Sequence, residues 1–201
     1  MKKSLLVLLL IVTILSLTSC FETEPKYSEG LAYELINEET YKVVGIGSCK
    51  DENIVIPATY EGIAVTEIGD SAFRGNNYLY SVEIPEGVTK IGSAAFKDCS
   101  FLASVTFPTT LEIIESGAFS YCSKLSEVNL PKKLIKIGSL AFESIGSIEK
   151  VVIPRTVTEI GSNAFKNNYL LTIYCEIESQ PSGWNRYWNE GNTPVIWGYS
   201  E

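Results

Sequence analysis

A phenylalanine recurs every 23 residues through most of the chain, and this period restricts the possible folds more than any other feature. Each Phe directly follows an Ala and stands five residues after an Ile, and the five copies are Phe73, Phe96, Phe119, Phe142 and Phe165. A fixed period of about 20 to 50 residues is typical of a solenoid, in which each unit buries its apolar face against its neighbours. The sequence therefore predicts one continuous repeat body.

One copy of the unit, residues 82–99, indicates what each repeat forms. Val82 and Ile84 alternate with a polar residue, as in a strand with one buried face, and the Pro that follows cannot donate a ladder hydrogen bond. An Asp or Ser lies three residues before each Phe and is a good helix N-cap, so we expect about one or two helical turns to begin there. A Gly follows the Ile in every unit except at Glu115, and we expect it to free the backbone for a turn.

Two places depart from the period. The segment before Phe73 carries five extra residues around Tyr60 to Ala64, which we interpret as a loop insertion. The last unit appears one residue short. Either Asn167 or Asn168 can therefore hold the position that follows the repeated Phe by three residues, and either Leu170 or Leu171 can hold the position before the strand. With these adjustments, about five 23-residue units span residues 54–175.

The two ends of the body have patterns of their own. Residues 29–53 contain two alternating runs separated by polar residues, which predicts a hairpin that caps the first coil. Residues 176–201 concentrate aromatic side chains, among them Trp184, Trp188 and Trp197. We interpret this segment as a C-terminal cap, and the alternative is an exposed aromatic platform that stacks on sugars.

The first twenty residues have the pattern of an export signal, with two lysines followed by an apolar run. Leu17-Thr18-Ser19-Cys20 resembles the lipobox of bacterial lipoproteins, in which the cysteine is lipidated and becomes the N-terminus. The resemblance implies a signal peptide at residues 1–19, lipid attachment at Cys20 and a lipidated tether at residues 20–28. The alternatives are an ordinary signal peptide or an uncleaved span, for which the run is short compared with the ~20 residues needed.

A leucine precedes each strand except at Ile148, a proline ends each strand and follows Ile in three of the five copies, and an IGxxAF pattern lies behind. These features resemble the leucine-rich repeats of bacterial surface proteins of the BspA type. The resemblance covers about residues 54–175. It implies an α/β leucine-rich-repeat solenoid, capped at both ends, with short parallel strands on one face and short helical turns on the other. Proteins of this type are associated with adhesion to host matrix proteins and with cell–cell attachment.

Charge and composition argue against several other functions. The net charge is −8 and the chain has no histidine, so nucleic acid is not an expected partner and the commonest general base and metal ligand are missing. Carboxylates such as Glu83 and Glu127 belong to separate coils rather than to a cleft that would shift their pKa values. We therefore expect no enzyme activity, no cofactor and no metal site.

Four cysteines remain in the body: Cys49, Cys99, Cys122 and Cys175. Cys99 and Cys122 occupy the same position in consecutive coils, about 5 Å apart, which is within reach of a disulfide. Because cysteine often serves as a small buried hydrophobe, free thiols are the preferred interpretation.

The candidate ligand-binding residues are the outward positions of the predicted strands. They are Ser81, Glu83, Ser104, Thr106, Glu127, Asn129, Lys150, Val152, Thr172 and Tyr174. A face of about five strands, at ~4.8 Å per strand, offers roughly 300–400 Å², less than the ~800 Å² per partner of a stable interface. Useful attachment would then need many anchored copies or further surface from the loop and the C-terminal segment.

The leading prediction is a lipid-anchored module of the bacterial cell envelope, exposed outside the cytoplasm. It would bind an extracellular protein or glycan, as in adhesion, through the strand face and the end caps, and contact the membrane through its N-terminal lipid. The alternatives are an envelope scaffold that binds another protein of the same cell and, remotely, an enzyme.

Overall fold

Short strands stacked from coil to coil form the body of the protein. The structure is a computed structural model and describes residues 27–146 and 148–200. The signal segment, Cys20 and most of the predicted tether lie outside the described residues. Ser28, assigned to the tether by sequence, is buried, and its N–H donates to Val55 O at 2.9 Å, so it belongs to the folded body.

The strands of the described residues are β1 (Ala32–Asn37), β2 (Thr40–Gly45), β3 (Asn53–Val55), β4 (Thr59–Tyr60), β5 (Ile63–Ile68), β6 (Ser81–Glu83), β7 (Lys90–Ile91), β8 (Ser104–Thr106), β9 (Ile113–Ile114), β10 (Lys136–Ile137), β11 (Lys150–Ile153), β12 (Glu159–Ile160), β13 (Thr172–Cys175) and β14 (Val195–Trp197). One sheet has the order β1-β2-β5-β7-β9-β10-β12, with β4 on β5. Two smaller sheets have the orders β3-β6-β8 and β11-β13-β14. Of the strand pairs in the described residues, β1–β2 and β4–β5 are antiparallel and the others are parallel.

A repeat can contribute to two parallel ladders, of which the sequence predicted only one. β6 pairs in register with β8, as the alternation at Val82 indicates. A second strand of two residues, formed around the repeated Ile as in β7, pairs with its equivalents in the neighbouring coils. This second ladder belongs to the largest sheet, and two residues are too few to show an alternating pattern.

The repeated phenylalanines form a continuous column through the core. Neighbouring ring centroids are 5.1–5.4 Å apart, with interplanar angles of 9° or less. All five rings are buried, as are the alanines that precede them. The small Ala side chain leaves room for this close stacking. The 23-residue period arises because each of these residues packs against its equivalent in the next coil.

The segment around each Phe is a series of turns, and the described residues contain no helix. The residue after each predicted N-cap has φ between 54° and 64°, which a right-handed helix excludes. Some N–H groups close a local turn, and the N–H of Ala95, for example, donates to Gly92 O. Others bond to the next coil, and the N–H of Phe96 donates to Ala118 O at 2.8 Å. The expected helical turns do not form because the backbone pairs with the next coil.

The Gly that follows the repeated Ile allows two coils to approach closely. Gly92, Gly138 and Gly161 have no positive φ, so the expectation that they free the backbone for a turn is wrong. A Cβ on Gly92 would lie 2.7 Å from Asp70 N, and a Cβ on Gly138 would collide with the backbone of Ser116. The constraint at this position is therefore steric.

The five-residue insertion forms part of a hairpin rather than an irregular loop. β4 pairs with β5 across Glu61 and Gly62, whose φ values are 51° and 79°, as in a two-residue type I′ turn. The N-terminal strands β1 and β2 form a second hairpin, and β2 pairs in parallel with β5. The N-terminal hairpin therefore continues the largest sheet beyond the first repeat.

The last coil keeps the 23-residue register, contrary to the sequence count. Asn168 and Leu171 are buried at the positions that follow Ile145 and Ile148 by one period. Asn168 Nδ2 donates to Phe142 O at 2.7 Å.

The C-terminal segment packs its indole rings against the last coil. Trp184 and Trp188 are buried with centroids 4.9 Å apart, and Trp184 Nε1 donates to Val157 O at 3.1 Å. Trp197 lies in β14, which pairs with β13. Because Trp184 and Trp188 are buried, their faces are not available to stack on a sugar, and this favours the interpretation as a cap.

Candidate binding surface

The strand ladder that carries the candidate ligand residues is interrupted at residues 126–130. By register this segment lies between β8 and β11, yet it forms no strand, and its peptide groups make no backbone hydrogen bond within the part of the chain that the structure describes. Val128 is nevertheless buried, as the repeat requires. Asn129, a residue type that is rare in strands, donates instead to Glu127 Oε1 at 2.7 Å.

A groove of about 610 Å³ lies at this interruption, and we call it the strand-gap groove. Its lining combines residues 126–130 with residues on and beside β11, and it also includes Lys132 and Glu176. Its volume falls within the roughly 300–1,000 Å³ typical of pockets for small ligands. Four of the predicted ligand residues are brought together here: Glu127, Asn129, Lys150 and Val152.

The other predicted residues lie outside this groove. Glu83, Ser104 and Thr106 are exposed on β6 and β8, whereas Ser81 Oγ donates to Asn53 Oδ1 at 2.7 Å and so makes an internal contact. Thr172 and Tyr174 are partly buried on β13, whose register pairs them with Lys150 and Val152. Of the ten predicted residues, four therefore lie on β6 and β8 before the interruption, Glu127 and Asn129 lie within it, and four lie on β11 and β13 after it.

Lys150 connects the strand face to the C-terminal segment. Its Nζ lies 5.1 Å from the ring centroid of Tyr174 and 4.6 Å from that of Tyr199, and it donates to the Tyr199 hydroxyl at 2.8 Å. Each such cation–π contact is worth about 0.5–2 kcal/mol. Tyr199 lies 49 positions from Lys150, and no periodic pattern in the sequence could have placed it beside the groove.

The groove carries charges of both signs. Besides Glu127 and Lys150, its lining includes Lys132, Glu149 and Glu176, and Glu176 Oε2 accepts the Arg155 N–H at 3.0 Å. Carboxylates, ammonium groups and an amide offer both donors and acceptors to a ligand. This mixture suits a polar or zwitterionic ligand better than a polyanion, which needs a largely cationic surface.

Two further features of the described residues concern other classes of site. Residues 27–146 and 148–200 bring no three His, Cys, Asp or Glu side chains together in a group that could hold a metal ion. They also contain no helix with the length and apolar character needed to cross a membrane.

Cys99 and Cys122 are free, buried thiols rather than a disulfide. Their Sγ atoms donate to Phe73 O at 3.0 Å and to Phe96 O at 3.1 Å, the same contact that Asn168 makes with Phe142 O. Burial raises the pKa of the Cys99 thiol to about 11, and it raises the pKa of Cys122 as well, with Cys99 adding to the effect. The position therefore holds a neutral donor for the carbonyl of the preceding coil.

These thiols predict a loss of stability at alkaline pH. A thiol in the unfolded chain ionises near its ordinary pKa of 9.0, whereas folded Cys99 stays protonated up to about pH 11, so its stabilisation is complete below pH 9 and is lost as the pH rises towards 11. Each buried thiol contributes a slope of up to about 1.4 kcal/mol per pH unit in that window. Urea unfolding at several pH values between about 7.5 and 10.5 measures the slope.

The matched control is the double variant Cys99→Ser/Cys122→Ser, which keeps a hydroxyl donor at both positions and has nothing to ionise in this range. Its stability should fall less steeply with pH than that of the wild type. Equal slopes for the two proteins would contradict the assignment of the alkaline loss to these thiols.

The fold and the repeated contacts define the class of protein. A parallel solenoid with short strands, a buried leucine before the strand position and a Cys- or Asn-bearing turn behind it is a leucine-rich-repeat protein. The family model described as BspA type leucine rich repeat region matches residues 47–172 in six copies, and the chain belongs to this family.

Several solved structures of bacterial leucine-rich-repeat proteins are similar to the chain. One from Bacteroides ovatus is 30% identical with a TM-score of 0.65, over 75% of this chain and 40% of that one. The T. pallidum protein TpLRR is also 30% identical, with a TM-score of 0.70 over 75% of this chain and 71% of that one. A protein from Bacteroides capillosus is 25% identical, with a TM-score of 0.52 over 73% and 94%.

The chain thus spans less than half of the Bacteroides ovatus protein that it matches. Among curated proteins, no relative matches significantly.

Proposed function

We propose that this chain is a lipid-anchored protein of the bacterial cell surface whose repeat body binds an extracellular protein or glycan. The binding site is the strand-gap groove together with the exposed strand positions beside it. The observation that carries the proposal is the interrupted ladder, where peptide groups without a partner among the described residues and side chains of both charges surround about 610 Å³ of open space. Membership of the BspA-type family supports the binding role.

The groove is small, and its chemistry sets how binding works. Val152 and Pro154 offer apolar contact, while Glu127, Glu149 and Asn129 offer hydrogen bonds. Binding through so small an area is weak for each molecule. Lipid attachment at Cys20 would hold many copies on one surface, and multivalent attachment then raises the overall avidity.

The binding proposal is tested with the purified full chain, immobilised and exposed to extracellular matrix proteins and a panel of glycans. Glu127→Lys and Glu149→Lys reverse exposed charges in the groove and should each weaken the binding of any ligand found by about tenfold or more. Glu38→Lys, at the exposed turn of the N-terminal hairpin, changes the net charge equally and should leave binding unchanged.

If the groove variants and Glu38→Lys lose binding to the same extent, the effect comes from net charge and the proposed site is wrong. If the groove variants retain full binding, the ligand is held elsewhere on the chain.

The location is tested separately. Cys20→Ala should abolish incorporation of a labelled fatty acid and release the protein from the membrane fraction. Protease added to intact cells should digest the wild-type protein. Protection from protease in intact cells would exclude exposure on the surface and would favour the scaffold within the envelope.

A further inference from the structure

The turns around the phenylalanines are joined by a second set of backbone hydrogen bonds, which we call the turn ladder. Three N–H groups of each coil donate to carbonyls of the next coil at 2.7–3.0 Å, as Ser71, Phe73 and Gly75 do to residues 93, 95 and 97. The same three bonds leave the coils of Phe96, Phe119 and Phe142. All donors point towards the C-terminal end of the solenoid, and all acceptors point towards the N-terminal end.

The N-terminal end of the turn ladder is open. The carbonyls of Asp70, Ala72 and Arg74 hold the acceptor positions in the first coil, and none of them accepts a hydrogen bond from residues 27–146 or 148–200. The preceding segment, residues 46–50, lacks the Ala-Phe turn and has Cys49 and Lys50 in its place. The turn ladder therefore begins only at the coil of Phe73, whereas the largest sheet continues further towards the N-terminus through β2 and β1.

A groove of about 610 Å³ is lined by residues 46–52 and residues 72–78, which include two of these three acceptors, and we call it the N-terminal groove. Ala72 and Arg74 are among its lining residues, and Ile46, Cys49 and Phe73 contribute apolar surface. This groove is separate from the strand-gap groove, because the two share no lining residue.

One exposed aromatic side chain lines the N-terminal groove, and a second holds the equivalent position in the next coil. Tyr78 lines the groove and is 81% exposed, and Phe101, which holds the same position in the next coil, is 55% exposed. The stacking of repeats does not require either ring, since Lys124 occupies this position in the following coil. Adjacent exposed aromatic rings are characteristic of protein-binding surfaces.

We propose that the N-terminal groove binds a polypeptide segment of a partner protein, which adds one further turn to the turn ladder. The segment donates alternate backbone N–H groups to the carbonyls of Ala72 and Arg74 and packs an apolar side chain against Tyr78.

The occupant follows from the hydrogen-bonding groups on offer. Carbonyls at alternate residues, Ala72 and Arg74, match the N–H groups of another peptide backbone, which is the partner that the later coils of this ladder already have. The mode is the counterpart of strand addition at a sheet edge, in which main-chain hydrogen bonds supply affinity and side-chain pockets supply specificity.

The chain's own repeat provides a probe of this site. A synthetic peptide of residues 89–100 with Cys99→Ser carries the N–H groups of Ala94, Phe96 and Asp98, which donate in the native ladder. It should bind the full chain and shift the carbonyl ¹³C resonances of Ala72 and Arg74. The same peptide N-methylated at Phe96 lacks one donor and should bind about tenfold more weakly.

Variants of the protein locate the site. Lys50→Trp places a large ring where the repeat has its Phe and should abolish peptide binding, whereas Lys133→Trp, at an exposed turn residue outside the groove, should retain it. Tyr78→Ala changes an exposed side chain without removing core packing, so it tests the groove in a folded protein and should weaken binding severalfold. The proposal is wrong if the repeat peptide does not bind, if N-methylation has no effect, or if the shifted resonances belong to the strand-gap groove.

Discussion

Phe119→Ala is expected to destabilise the protein by about 3–5 kcal/mol, the usual cost of removing a buried aromatic ring from a packed core. Phe119 is completely buried. Its ring stacks on Phe96 at 5.1 Å and on Phe142 at 5.4 Å, and it also meets the edge of Phe107 at 5.6 Å. The variant therefore opens a cavity in the middle of the column and removes contacts with both neighbouring coils. Urea unfolding measures the loss.

The control for this variant is Phe101→Ala, which removes the same side chain from an exposed position. It should change the free energy of unfolding by no more than about 0.5 kcal/mol. Because each coil contacts only its neighbours, amide exchange in Phe119→Ala should rise first in the coils of Phe96 and Phe142. Equal losses for the two variants would contradict the column as the main source of stability.

Trp184→Ala is expected to cost a similar amount, about 3–5 kcal/mol. The indole ring is buried, packs against Trp188 at 4.9 Å, and satisfies Val157 O through its N–H. Its removal exposes the last coil to water and leaves that carbonyl without its indole donor. Hydrogen exchange should then increase at the C-terminal coils while the coil of Phe73 keeps its protection.

The matched control is Tyr187→Ala, in the same segment but 45% exposed. Its stability should remain close to that of the wild type. If Trp184→Ala is as stable as Tyr187→Ala, the aromatic segment does not act as a cap, and ligand binding becomes the better explanation of its composition.

The core was largely predictable because its residues repeat. The five phenylalanines, their preceding alanines and the repeated isoleucines are all buried at the positions that the period indicates. The structure also resolves the register of the last coil in favour of Asn168 and Leu171. A residue that packs against its equivalent in the next coil has to be of a similar type in every coil, and it is therefore visible as a repeat in the sequence.

The local backbone was less predictable. An Asp or Ser before an Ala-Phe pair has the composition of a helix start, yet the next residue takes a positive φ and the N–H groups bond to the neighbouring coil. Side-chain type reports local propensity, whereas the neighbouring coil decides which partner the backbone finds. The Gly after each Ile was misjudged for the same reason, since the atoms that exclude a Cβ belong to another coil.

The candidate site was predicted in part. Alternation identified Glu127, Asn129, Lys150 and Val152 as outward positions, and all four line the strand-gap groove. The interruption that forms the groove was not predictable, because Val128 keeps the apolar pattern of a strand. The contact of Lys150 with Tyr199 is a long-range one that no local pattern records.

The period alone established that this chain is a solenoid and which repeated side chains fill the interior of its coils, except for the register of the last coil. The positions at which the ladders between coils stop became visible in the three-dimensional structure: residues 126–130 on the strand side, and Asp70, Ala72 and Arg74 on the turn side. Core packing depends on side chains, whose types differ within one unit and recur from unit to unit, so the sequence records them. The ladders depend on peptide N–H and C=O groups, which are nearly the same at every residue, so their pairing is set by the positions of the coils.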